Sequence, residues 1–283
     1  EPELRQELAK YLYQSRGVIC SPEQIIIGSG MQPLVSLLCL LLSPETGRIA
    51  FEDPGYDGAR EIFIQHGFSK KPIEWTKSGI NLQKLEESQS RLVYVTPSHQ
   101  FPLGMIMPIT NRMNLLEWAD RVGGYIIEDD YDSEFRYKGK PIPALQGLDS
   151  QGKVIYLGTF SKALLPSIRL AYMILPKELI ERFKRNFQSY EQSASKIHQK
   201  TLYLFMQQGY WEKHLRKMRH LYQKKHEATK KAVNHFMGNQ VKIIGEDSGL
   251  HILLEVRNGD TEEILIQKAK RAGIKVYPTS NYW

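Results

Sequence analysis

Lys162 lies in "YLGTFSKALLPSIRLAYMI" (156–174), between two runs that both read as buried strands, and Arg169 follows seven residues later. A lysine held in partly apolar surroundings keeps more of its free amine, the form that attacks a carbonyl to make a Schiff base. The hydroxyls of Thr159 and Ser161, with the guanidinium of Arg169, suit a phosphate. A second concentration of chemistry is "EDDYDSEF" (128–135), a run of carboxylates at the end of an apolar strand. A buried acid needs a cation or a donor beside it. Asp129 can pair with a protonated ring nitrogen, and Tyr131 can donate to a phenolate oxygen. Alternatively, Glu128 and Asp130 mark a solvated loop, and at least one of the three acids is expected to do so.

Two other strand exits add weaker signals. After "IIIGS" come Gly30, Met31 and Gln32, where a tight turn opens an apolar helix. Such a turn presents free N–H groups to an anion, although glycine before a helix is also commonplace. After "RIAF" comes "EDPGY", ending in Tyr56, which can stack on a planar ligand or simply pack. A phosphate cradle, a stacking aromatic, an acid for a pyridinium, a phenol donor and a Schiff-base lysine are together what pyridoxal 5′-phosphate requires.

The elements that must position these residues alternate between helix and strand patterns. Leu4, Leu8, Tyr11 and Leu12 recur at helical spacing and Gly17 can end that helix, while "SPEQ" (21–24) offers a serine cap and a first-turn proline. "PLVSLLCLLLS" (33–43) has the length of a buried helix, and "TNRMNLLEWADRVG" (110–123) reads as another. The runs "RIAF", "RLVYV", "YIIEDD", "VIYLG" and "LAYMIL" are strand-length and rich in β-branched or aromatic residues. The alternation predicts an α/β domain with a mostly parallel sheet, whose ligands sit beyond the strands' carboxyl ends. We expect this large domain over 1–176. Residues 177–283 read as a helical connector and a smaller α+β C-terminal lobe, with "VKIIG", "GLHILLEV" and "IKVYP" as its strands. Both ends look cut, so the chain reads as part of a longer protein.

Of the 283 residues 41% are hydrophobic, but no run reaches the length of a membrane span. Cys20 and Cys39 are too few for a disulfide framework and read as core fillers, which fits a reducing cytoplasm. The net charge of +7 owes much to basic residues between 177 and 231. With Leu215, Met218, Leu221 and Tyr222 as its apolar stripe, "HLRKMRHLYQKKHEATKK" (214–231) reads as the solvated face of a long helix. The competing reading, a nucleic-acid footprint, lacks a DNA-reading motif.

"GTFSKALLPSIRLAY" resembles the lysine motif of fold-type I, pyridoxal-phosphate-dependent aminotransferases. The succession "GSGMQ", "DPGY", "TPSHQFPLG", "EDDYDSEF", "GTFSK" and the arginine follows that family's order across residues 2 to 176. The resemblance implies that Lys162 holds the cofactor as a Schiff base and that Asp129 pairs with the pyridine nitrogen. It places Tyr131 on the 3′ oxygen, Tyr56 on the ring face, and Gly30, Met31, Thr159 or Ser161, and Arg169 on the phosphate. One departure is that Phe101 stands where ordinary members have an asparagine that also bonds the 3′ oxygen. "TPSHQFPLGMIMP" with "EDDYDSEF" resembles the MocR/GabR group of bacterial regulators, whose aminotransferase-like domain follows a winged-helix DNA-binding domain. His99 and Gln100 belong to that signature, as effector contacts or as loop residues.

That resemblance implies an effector-sensing homodimer in the cytoplasm. An amino compound such as γ-aminobutyrate would displace Lys162 to form an external aldimine, and DNA would be met only through an N-terminal domain absent from these residues. The alternative is a working aminotransferase, in which Lys162 also moves a proton between cofactor and substrate carbons. No metal is expected. The family's carboxylate-binding arginine is not placed in this sequence, where Arg257 reads as a strand-end turn residue.

Overall fold

Every strand exit singled out above lies at one end of a single eight-stranded sheet. The computed structural model describes residues 1–42, 47–137, 142–187, 189–190 and 193–283, so Ser43, the last residue of the apolar stretch 33–43, lies outside it. In chain order come α1 (Pro2–Arg16), β1 (Ile25–Gly28), α2 (Met31–Leu42), β2 (Arg48–Asp53), α3 (Asp57–Gln65), β3 (Ser69–Thr76) and β4 (Gly79–Ile80). They are followed by α4 (Leu82–Glu87), β5 (Leu92–Val95), α5 (Ile109–Arg121), β6 (Tyr125–Asp130), α6 (Leu145–Leu148), β7 (Val154–Thr159) and β8 (Ala171–Ile174). The remainder is α7 (Lys177–Asn186), α8 (Lys196–Gln207), α9 (Tyr210–Met237), β9 (Val241–Ile244), β10 (Leu253–Val256) and α10 (Glu262–Arg271).

The sheet runs β1-β8-β7-β6-β5-β2-β3-β4. From β7 through β3 neighbouring strands are parallel, while β8 is antiparallel to both β7 and β1, and β4 to β3. Side chains alternate across it as the two-residue period requires. Leu92 and Tyr94 of β5 enter one apolar cluster with α2, α3 and α7, and Val93 and Val95 enter another with α5. A third cluster joins Leu4, Leu8 and Leu12 of α1 to β7, β8, α8 and α9. Gly17 ends α1 in the left-handed conformation, where glycine carries no Cβ penalty. The serine and glutamine of "SPEQ" form a capping box on a short 3₁₀ turn leading into β1.

Register brings the phosphate-binding candidates level. Gly28 pairs with Ala171, and Ala171 with Thr159, so the turns after β1, before β8 and after β7 leave the sheet side by side. On the neighbouring strand, Asp129 pairs with Leu157 of β7.

Beyond 176 the chain does not leave the large layer at once. Leu179 and Ile180 of α7, and Leu202 and Met206 of α8, fill the clusters on the sheet. Along α9, Leu215 is buried and Met218 and Tyr222 pack, while Leu221 is 40% exposed and lies outside the stripe. β9 and β10 form a two-stranded antiparallel sheet. The expected strand "IKVYP" (274–278) does not form. It has no ladder partner among the described residues, and a strand exists only through pairing, so Ile274 and Tyr277 stay exposed. Among the described residues no helix is long and apolar enough to cross a membrane.

Candidate functional site

β6 carries its acids inward. Glu128, Asp129 and Asp130 are all buried, which overturns the expectation that at least one marks a solvated loop. Each has a tertiary partner. Glu128 accepts from the backbone N–H groups of Leu145 and Gln146, at 2.8 and 2.9 Å, at the start of α6. Asp130 Oδ2 accepts from Arg16 Nε at 2.7 Å and from Tyr156 at 2.6 Å. Asp129 Oδ2 accepts from Tyr94 at 2.5 Å, and its Oδ1 is buried with no partner. Burial pushes the Asp129 carboxyl up to about 7, against the pull of the Tyr94 hydrogen bond, with Asp130 adding to the rise and Lys162 opposing it. A buried acceptor oxygen without a partner, on an acid that gains from a cation beside it, fits a protonated ring nitrogen.

The turn between β7 and β8 presents the basic half. Lys162 and Arg169 are both exposed in the single chain, so Lys162 is not enclosed in the apolar surroundings that its flanking strands suggest. The charge of Lys162 is nevertheless felt at Asp129 and at His251. The turn is fastened from behind by α9, where His214 Nε2 meets the Ala163 carbonyl at 2.8 Å. Thr159 Oγ1 accepts from the Ser161 N–H at 3.1 Å, and both residues are half-buried. Arg169 adopts a left-handed φ of 48°. This brings its guanidinium against Gly30, where an added Cβ would lie 2.6 Å from Nη2. Gly30 itself has φ +106°, which L side chains rarely adopt, and Met31 opens α2 directly after it. Gly30 and the Arg169 guanidinium thus lie together, beside the strand end that carries Thr159.

The "TPSHQFPLG" loop closes the site from the β5 side. Gln100 is fully buried. Its amide donates to the carbonyls of Pro54 and Phe101 at 2.7 and 2.8 Å and accepts from Leu103 N at 3.1 Å. Gln100 is thus engaged at both ends by this loop and the "EDPGY" turn. It also touches Glu52, which burial pushes up to about 8 and which accepts from Thr96. Phe101 faces the site edge-on to Tyr56 at 5.8 Å and Tyr131 at 6.1 Å between ring centres. His99 is buried, its Nδ1 lying 3.0 and 3.1 Å from the two Asp132 oxygens. Tyr131 donates to the His99 carbonyl at 2.9 Å.

Four residues of this site escape a reading of local sequence. Tyr94 sits mid-strand among aliphatics, and the signal was a phenol in a core strand, which needs a partner for its hydroxyl. Asp132 and His251 meet His99 only through tertiary packing. His251 arrives on the segment between β9 and β10, its ring 4.8 Å from His99 and 5.4 Å from Phe101, and burial lowers its pKa. His99, Asp132 and His251 offer metal-ligating atoms within 4.8 Å of one another. His99 Nδ1 meets Asp132 and His251 Nε2 meets the Pro102 carbonyl at 3.1 Å, while His99 Nε2 is buried with no hydrogen-bond partner among the described residues. Tyr282 stands 4.8 Å from Phe101, and its carbonyl accepts from Gly55 N. Arg257 follows β10 and pairs with Glu255 at 2.9 Å, as a strand-end residue.

The family model for aminotransferase class I and II matches residues 1–282. The uncharacterized HTH-type transcriptional regulator YdeL of Bacillus subtilis (strain 168) is 51% identical over 280 residues, covering 99% of this chain and 60% of the relative. The probable rhizopine catabolism regulatory protein MocR of Rhizobium meliloti is 36% identical, over 99% of this chain and 57% of the relative. This chain therefore spans less than two thirds of the length of those relatives. Among solved structures, the kynurenine aminotransferase of Pyrococcus horikoshii superposes with a TM-score of 0.86 at 28% identity, over 99% of this chain and 72% of that one. An archaeal alanine:glyoxylate aminotransferase reaches 0.89 at 27% identity, over 100% and 72%. The chain belongs to the aminotransferase class I and II family, with the fold-type I architecture, and is similar along almost its whole length to MocR-type transcriptional regulators.

Proposed function

We propose that this chain is the pyridoxal-phosphate-binding, effector-sensing and dimerising domain of a cytoplasmic transcriptional regulator, its effector being an amino compound such as γ-aminobutyrate. The observation that carries the reading is the buried, unpartnered Oδ1 of Asp129, within reach of the charge of Lys162, in a chain similar along its length to HTH-type regulators. Bound there, the cofactor supplies an aldehyde that captures amines and a pyridinium that accepts electron density. Asp129 would hold the ring nitrogen protonated, with Tyr94 fixing the carboxylate's orientation. Gly30, Met31, Thr159, Ser161 and Arg169 would bind the phosphate, Tyr56 would cover the ring face, and Tyr131 would donate to the 3′ oxygen. Phe101 brings an apolar edge and no donor, so Tyr131 stands without the second donor that asparagine gives ordinary members.

An amine that competes with Lys162 changes the contacts at the junction of the large layer with the 245–251 segment. It can shift the protein between arrangements only by its differential affinity for them. We propose residues 1–176 as the large domain and 177–283 as connector and small lobe, with DNA reached through an upstream winged-helix domain. A homodimer is part of the proposal. Lys162 and Arg169 are exposed in one chain, and Leu165 between them is 47% exposed, which supports a second copy covering this turn.

A working aminotransferase is the second reading, favoured by the likeness to aminotransferase structures at TM-scores of 0.86 and 0.89. Mixing the cofactor-loaded protein with γ-aminobutyrate and a keto acid separates the two. The sensor reading predicts an amine-dependent change in cofactor absorbance without sustained product formation. Steady turnover at ordinary enzymatic rates of about 1 per second or more would overturn it.

A further inference from the structure

We propose that His99, held by Asp132, is a positioning residue for Tyr131, turning the tyrosine's hydroxyl proton toward the cofactor's phenolate oxygen. The inference rests on the pyridoxal-phosphate reading above. His99 Nδ1 faces three oxygens at once, Asp132 Oδ1 at 3.1 Å, Asp132 Oδ2 at 3.0 Å and Tyr131 Oη at 3.0 Å. An ionised carboxylate only accepts, so the ring must carry its proton on Nδ1. Tyr131 Oη therefore sits where it receives a share of that N–H, and its own proton must be donated elsewhere. In this structure it goes to the His99 carbonyl at 2.9 Å. A hydroxyl that accepts a hydrogen bond becomes a better donor, so the same contact both aims Tyr131 and strengthens it.

The imidazole is built not to turn. Gly249 lies against one side, where an added Cβ would come within 1.8 Å of His99 Cε1, and an added Cβ on Gly104 would lie 3.1 Å from Nε2. Both glycines have positive φ, +81° and +67°, so neither position readily accepts a larger residue. Asp132 is anchored in turn by the Leu250 N–H at 3.3 Å, so the small-lobe segment that carries Gly249 completes the arrangement. Asp132 and His99 are each only 2% exposed. A structural clamp alone would account for the glycines, but not for a ring nitrogen shared between the Asp132 carboxylate and the Tyr131 hydroxyl.

The test is the pH midpoint of the absorbance change of the cofactor-loaded protein, in wild type, Tyr131→Phe, His99→Leu and the double variant. A donor on the phenolate oxygen weakens that oxygen's hold on the neighbouring proton, so losing the donor raises the midpoint. His99→Leu is expected to raise it by about half to one pH unit, the size of one neutral hydrogen bond. The double variant should match Tyr131→Phe alone, because both changes remove one interaction. His99→Asn, which keeps an N–H near the Nδ1 position, should restore most of the wild-type value. Should His99→Leu not fold, Asp132→Asn reads the same shift. A midpoint unchanged in His99→Leu or Asp132→Asn, or shifts that add in the double variant, would overturn the proposal. A wild-type protein with no cofactor absorbance would overturn the cofactor reading and this inference together.

Discussion

Strand β6 and the Lys162–Arg169 turn flank the same end of the sheet, yet they are held in opposite ways. Glu128, Asp129 and Asp130 are buried, and each is bonded to groups far along the chain: the start of α6, Tyr94, and Arg16 with Tyr156. On the Lys162–Arg169 turn Ala163 is buried in the core and its carbonyl meets His214, but Lys162 and Arg169 themselves are exposed, with Arg169 approaching Gly30. The acidic side is thus a finished part of the core, assembled at the cost of desolvating several carboxylates. The basic side is an open rim whose charges await an anion, an aldehyde or a second copy of the chain. Damage to the first should appear as lost stability, and damage to the second as lost binding.

Arg16→Ala breaks that comparison most severely. It leaves Asp130 buried without its cation, and removing one partner of a buried pair costs about 3–5 kcal/mol. The denaturation midpoint should fall accordingly; a loss below about 1 kcal/mol would mean the acidic strand is not held as described. Arg169→Ala is the counterpart on the rim. Stability should stay within about 0.5 kcal/mol, while the Kd for pyridoxal phosphate rises about 10- to 100-fold, the size of one or two charge-assisted hydrogen bonds. Calorimetric titration of the apo protein checks it.

The pH dependence is the gentlest probe. Burial pushes Glu52 up to about 8 and Glu128 and Asp129 up to about 7. Their folded pKa values lie above the unfolded ones, so the folded state binds more protons in between. The stability they contribute is full below the unfolded carboxylate range and is lost as pH rises through about 7 to 8. The melting temperature of the apo protein should therefore fall between these limits. In Glu52→Gln the upper part of that fall should flatten, and in the cofactor-loaded protein the Asp129 part should shrink, because a pyridinium favours the carboxylate. A melting temperature that rises over the same interval would contradict the assignment.

Much of this arrangement was legible because it is local. Leu4, Leu8 and Leu12 spell a helix face, Gly17 its end, and the exits of β1, β6 and β7 announced Gly30, Asp129 and Lys162 as neighbours in an α/β sheet. What escaped was set by partners distant in sequence. Asp130 looked like a loop acid because Arg16 lies 114 residues away. "IKVYP" has the composition of a strand, but composition supplies no partner to pair with. Tyr94 and His251 acquire a role only when the sheet and the 245–251 segment are assembled around Asp129 and His99. Phe101, conspicuous in sequence as a missing donor, proved to be the ring against which Tyr56, Tyr131, His251 and Tyr282 are arrayed.

The central claim is that Lys162 carries the cofactor, on the open rim opposite the closed acidic strand. Borohydride reduction of the pyridoxal-phosphate-loaded protein, followed by peptide mass mapping, tests it directly. The account predicts a single reduced pyridoxyl adduct on Lys162, absent from Lys162→Ala. An adduct on another lysine, or one that persists in Lys162→Ala, would contradict it.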